Sequence, residues 1–166
     1  LESTQDAPAR RVMLASKVED MLNTVVRQIA FYNFEERVHK ERRHGELSAD
    51  GLGEIWMEVQ TESLGPAFRY DDEYRHFWAY IPHFIHAPFY VYAYAFGDCL
   101  VNSLYDLFSS GHPQFQEKYL DMLKAGGTLR HKELLAPFGL DASDPAFWQR
   151  GLGIVSGFID ELEKML

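Results

Sequence analysis

The chain has 166 residues, enough for one domain with a sizeable core, and its 46% hydrophobic and 25% charged content is globular rather than disordered. A formal charge of −9 speaks against a nucleic-acid groove or a polybasic membrane surface, since both need clustered Lys and Arg. The one cysteine, Cys99, excludes an internal disulfide framework and a Cys-based zinc cluster, and makes a reducing, cytoplasmic setting the expectation.

The first ten residues are polar and begin with Leu rather than Met, so no secretory signal is read there and a processed or expressed fragment is expected. From Pro8 to His44 the sequence reads as one long helix. Val18, Met21, Leu22, Val25, Val26, Ile29, Tyr32 and Phe34 recur at spacings of three and four with charged residues between them. The basic last turn (Lys40, Arg42, Arg43) and Gly45 mark its end. Ser48 is a candidate N-cap for a second helix carrying Ile55, Trp56 and Val59. Gly65-Pro66 and Asp71-Asp72-Glu73 make a loop, and Tyr74 to Tyr80 suit a short helix that Pro82 stops.

The segment from Ile81 to Pro88 reads as irregular, with Pro88 as the first residue of a helix reaching about Ser110. Further helices are expected from Pro113 to Ala125, from Thr128 to Pro137, and from Asp144, with Pro145 at its first position, to the chain end. No apolar run reaches the ~20 residues of a membrane span; the most apolar stretch, Ala87 to Leu104, is interrupted by Gly97, Asp98 and Asn102. The reading is all-α: about six helices beginning with one long one, with residues 1–166 as a single helical segment.

Few patterns in the chain carry chemistry. No H-E-x-x-H zinc helix is present. His39 and His44 lie five apart, roughly 140° around a helix, and cannot share one ion. Glu35, Glu36 and Glu41 stand among basic neighbours and read as a solvated face. Cys99 sits in an apolar helix as an inert thiol, and Gly51-Leu52-Gly53 lacks the third glycine of a dinucleotide fingerprint. His83 and His86 are three apart but flanked by Pro82 and Pro88, with no carboxylate close in sequence.

The unusual stretch is Ile81 to Gly97. It combines an irregular loop bearing two histidines with Tyr90, Tyr92 and Tyr94 entering a helix. Each buried phenol needs a hydrogen-bond partner, which makes Leu or Val the cheaper core residue. Two readings stand: a wall of O–H and N–H donors aimed at a carbonyl or a developing oxyanion, or an aromatic helix whose hydroxyls reach solvent and backbone.

The Pro82 to Gly97 stretch resembles the C-terminal signature of oligoendopeptidase F, within the thimet-oligopeptidase-like zinc metallopeptidases. Lys17 to Met21 and Arg27 to Tyr32 resemble the segment after that family's metal-binding helices, and Leu120 to Gly127 and Glu133 to Leu140 its closing region. The resemblance covers nearly the whole chain. It implies the C-terminal, substrate-binding part of a zinc metalloendopeptidase that hydrolyses short peptides. The zinc ligands are then expected in a missing N-terminal part, no metal is expected in this chain, and the fragment should be inactive alone and prone to self-association.

The resemblance makes His83 the loop histidine and Tyr90 the oxyanion donor, both catalytic, with His86, Tyr92 and Tyr94 as substrate-binding residues. The thimet branch carries a further Tyr near the place of Gly97, so Tyr92 or His86 could take a neighbour's role. The alternative, from another class, is a non-catalytic helical module that binds a peptide or protein in an aromatic groove.

Overall fold

The computed structural model describes residues 6–165. Among them the chain is all helical, with no strand. The α-helices are α1 (Ala7–Glu41), α2 (Ala49–Leu64), α3 (His83–His86), α4 (Tyr92–Ser109), α5 (Phe115–Ala125), α6 (His131–Leu135) and α7 (Pro145–Glu163). Three 3-10 segments, Gly65–Ala67, Asp72–Tyr80 and Ala136–Phe138, complete the set. The surplus over about six helices comes from short turns beside prolines, where an interrupted backbone still closes local hydrogen bonds.

Several boundaries follow from local chemistry. The Ser48 hydroxyl accepts from the Gly51 N–H at 3.1 Å and starts α2. The Asp144 carboxylate accepts from the Ala146 N–H at 2.9 Å, with Pro145 at the first position of α7. Three expectations are corrected. Residues 83–86 form one helical turn rather than an irregular loop. The following helix starts at Tyr92, not Pro88, because Phe89 has φ of 59° and breaks the run. Gln114, with φ of 57°, delays α5 to Phe115 in the same way.

The chain divides into two compact units: Leu1–Val18 with Gly97–Leu166, and Glu19–Phe96. In the unit of residues 19–96, Phe31 and Phe34 of α1 pack on Trp56 of α2, stacked at 5.5 Å and edge-on at 5.3 Å between ring centroids. Val59, Ile81 and Val91 complete that core. In the discontinuous unit, Leu104 and Leu107 of α4 pack with Leu135, Phe138, Leu140 and Phe147. There α7 approaches α4 so closely that a Cβ on Gly151 would lie 2.6 Å from the Cys99 carbonyl oxygen, a place only glycine can occupy. Arg10–Glu161 and Arg150–Asp106 ion pairs tie elements of that unit together.

The buried stripe of α1 differs in detail from the one read in the sequence. Leu14, Val18, Met21 and Val25 are buried at spacings of four, three and four, and Ala30, Phe31 and Phe34 continue the burial. Leu22 and Ile29 fall beside the stripe and are each 40% exposed. A 100° step per residue moves a neighbouring apolar position off the contact line. In the discontinuous unit Val101, Tyr105, Phe108, Leu120 and Leu123 stand exposed.

Candidate active-site wall

The stretch from Ile81 to Phe96 is anchored to α1 and α2 by three apolar side chains. Ile81 and Val91 are buried in the core. Phe84, on α3, meets the Phe34 ring at 5.0 Å and the Phe31 ring at 5.6 Å. With Phe84 turned inward, its neighbour His83 is carried round the same helical turn and stays half-buried.

A tight turn then leads to the tyrosines. The Tyr90 N–H donates to the Ala87 carbonyl at 3.2 Å, closing a β-turn with Pro88 in its second position and Phe89 in its third. Pro88 therefore sets a turn rather than a helix start. The third position normally takes Gly or Asn when φ is positive, and Phe at 59° costs about 1–2 kcal/mol.

This geometry brings His83, Tyr90 and Tyr94 together. His83 Nε2 and the Tyr94 hydroxyl share a hydrogen bond at 3.1 Å, its direction set by the imidazole tautomer. The Tyr90 and Tyr94 rings meet edge-to-face at 5.5 Å, and His83 lies parallel to Tyr90 at 6.3 Å. Tyr90 and Tyr94 do meet, but not as residues of one helix, because Tyr90 precedes α4. Tyr92 is 51% exposed and packs against Tyr32 at 6.2 Å, away from the cluster. His86 is exposed at the end of α3. The three clustered groups offer O–H and N–H donors that remain open to solvent on one side.

Glu35 is the correction with the largest consequence. Read as part of a solvated face, it is only 2% exposed. One carboxylate oxygen accepts from the Phe89 N–H at 2.9 Å, and the other finds no partner within the protein. Burial pushes its pKa above the ordinary carboxylate value; the Phe89 hydrogen bond and the nearby His39 and His83 oppose that rise. The histidine loop thus has a carboxylate beside it, supplied by α1 rather than by its own sequence neighbourhood. His39 lays its ring against Phe89 at 4.7 Å, and Tyr32 meets the same ring at 6.4 Å. Tyr32, Glu35 and His39 are spaced three and four apart on one face of α1. That spacing is legible in the sequence, but the basic neighbours of Glu35 suit a solvated face equally well.

Among the described residues no three His, Cys, Asp or Glu side chains lie together in a way that could hold a metal ion. The side chains present therefore do not by themselves fit the zinc implied by the resemblance. No helix of the described residues is long and apolar enough to cross a membrane. Burial, with Asp98 adjacent, pushes the Cys99 thiol up, as expected of an inert structural cysteine.

The chain is 29% identical over its whole length to the plasmid-encoded oligoendopeptidase F of Lactococcus lactis subsp. cremoris, covering 28% of that protein. It is 29% identical to the oligopeptidase PepF of Bacillus subtilis, covering 25% of it. The crystal structure of oligoendopeptidase-F from Enterococcus faecium superposes on 99% of the chain with a TM-score of 0.89 at 27% identity, the match taking up 32% of that protein. The chain thus spans about a quarter to a third of the length of these relatives. The model of Peptidase family M3 matches residues 2–154, and the chain belongs to that family.

Proposed function

We propose that this chain is the substrate-facing part of a zinc metalloendopeptidase that hydrolyses short peptides in the cytoplasm. In this reading the 166 residues act as one helical segment of the catalytic domain. The metal ligands lie in the remainder of the complete protein, and the segment alone is inactive. The observation that carries the reading is the His83–Tyr90–Tyr94 cluster, three hydrogen-bonding side chains held within contact of one another and facing outward.

Such a wall suits peptide hydrolysis. As a scissile carbonyl becomes tetrahedral, its oxygen gains negative charge, and prepositioned phenol and imidazole donors stabilise that charge more than the neutral ground state. Tyr90 is assigned as the oxyanion donor and His83 as the loop histidine that hydrogen-bonds the same centre. Tyr94, bonded to His83, binds substrate and orients the imidazole. His86 and Tyr92, outside the cluster, are assigned to flanking parts of the peptide.

Tyr90→Phe in the complete protein tests this assignment. It keeps the ring packing and removes one O–H, so kcat should fall by about 10²–10³, or ~2.7–4 kcal/mol, with a smaller change in KM. Steady-state kinetics on a short internally quenched peptide reads the effect, with zinc content measured in parallel and expected to be unchanged. Full activity in Tyr90→Phe, with loss in Tyr92→Phe or Tyr94→Phe, would move the donor along the chain. Full activity in all three would leave the wall as packing, an aromatic helix whose hydroxyls reach solvent and backbone; a complete protein that binds peptides without cleaving them would favour the non-catalytic module.

A further inference from the structure

We infer that Glu35 is a positioning residue: its carboxylate pins the turn at Phe89 and thereby holds Tyr90 and His83 in the geometry used for catalysis. The inference rests on the proposed peptidase reading for its kinetic part and on the geometry alone for the rest.

Four observations converge on it. Phe89 occupies a left-handed conformation at φ of 59°, which a bulky side chain does not adopt unaided. Its N–H donates to the Glu35 carboxylate at 2.9 Å. Glu35 is 2% exposed, and burying a carboxylate is costly unless hydrogen bonds offset it; the Phe89 N–H is the hydrogen-bond donor recorded for it. The ring of Phe89 rests on Tyr32 and His39, one turn of α1 to either side of Glu35, so one helix face cradles both backbone and side chain of the turn.

The turn is also the sole covalent link between the two halves of the wall. His83 stands before it and Tyr90 directly after it, while Tyr94 joins them through its 3.1 Å hydrogen bond to His83. If Phe89 relaxed to an ordinary negative φ, the chain direction at Tyr90 would change and the His83–Tyr90 stacking at 6.3 Å would be lost. Catalytic groups misplaced by about 1 Å commonly lose on the order of 10²-fold in rate. The pin needs an acceptor at this place, not a negative charge, and the raised pKa of Glu35 agrees with a group buried at the expense of its charged form.

The test uses the complete protein with Glu35→Met and Glu35→Gln. Met fills the buried volume but removes the acceptor; Gln keeps a carbonyl oxygen in reach of the Phe89 N–H. In Glu35→Met, kcat should fall ~10–100-fold with KM little changed, and the Phe89 amide should exchange with solvent faster than in the parent protein. Glu35→Gln should restore most of kcat and keep that amide protected. Two results overturn the inference: parental kcat and parental Phe89 exchange in Glu35→Met, or loss of activity in Glu35→Gln with the amide still protected, which would make the charge the functional element. Should Glu35→Met not fold, the Gln variant alone still decides between acceptor and charge. A parent protein that cleaves no peptide would fail the peptidase reading instead, and the Phe89 exchange comparison would still judge the pin.

Discussion

The two compact units handle buried polarity in opposite ways. In the discontinuous unit, the buried Ser103 hydroxyl donates to the Phe147 carbonyl at 3.1 Å and is satisfied. In the unit of residues 19–96, buried polar atoms of Gln28, Glu35, Trp56, Gln60, Arg75 and Trp78 find no partner within the protein. Every such side-chain atom found among the described residues belongs to this unit. Unsatisfied buried groups cost stability, and they gather in the unit that also carries the His83–Tyr90–Tyr94 cluster. Leu, Phe and one close glycine contact organise the other unit, which reads as a scaffold.

Substitutions can sharpen or break this contrast. The largest stability loss is expected from Trp56→Ala, which empties the stacked centre of the unit of residues 19–96 at a cost of about 3–5 kcal/mol. Denaturant unfolding should show it, and hydrogen exchange should place the loss in residues 19–96 rather than around α7. Next comes Gly151→Ala. Its new methyl would meet the Cys99 backbone and force α7 away from α4, an overpacking strain of about 1–3 kcal/mol. Because that contact lies in the scaffold unit, peptide turnover by the folded protein should stay near the parent value. A Gly151→Ala protein of full stability but reduced kcat would break the division of labour.

Ser103→Ala should cost about 1 kcal/mol by removing one satisfied hydrogen bond, again without a kinetic effect. The smallest effect concerns pH. Burial raises the Glu35 pKa in the folded state, so the folded chain binds that proton more tightly than the unfolded chain. The associated stabilisation is fully present below the ordinary carboxylate pKa and is lost as pH rises through the raised folded value. Glu35→Gln should remove that share of the acid-side slope in unfolding free energy. An identical slope in the Gln variant would show that Glu35 ionises as freely as a surface carboxylate.

Much of the helical layout was legible because its signals are local. Ser48 and Asp144-Pro145 announce helix starts through hydrogen bonds made within three residues. The three and four spacing of Val18, Met21 and Val25 follows from the helix period alone. The candidate wall was legible in composition too, since His83, Tyr90 and Tyr94 lie within one short stretch. Its geometry was not. Pro88 suits a helix start and a turn equally well, and what selects the turn is an acceptor on Glu35, fifty-four residues earlier in the chain.

By itself, then, the sequence determined the helical class, the long first helix and the stretch where donors gather, because each depends on neighbours a few residues apart. The tertiary structure alone decided that Glu35 is buried, that Phe89 is held at positive φ, and that Gly151 must lack a side chain. Each of those depends on a partner distant in sequence: a backbone N–H for Glu35, a helix face for Phe89, a carbonyl oxygen for Gly151. Charge neighbours and propensities, which act over one or two turns, carry no record of such pairings.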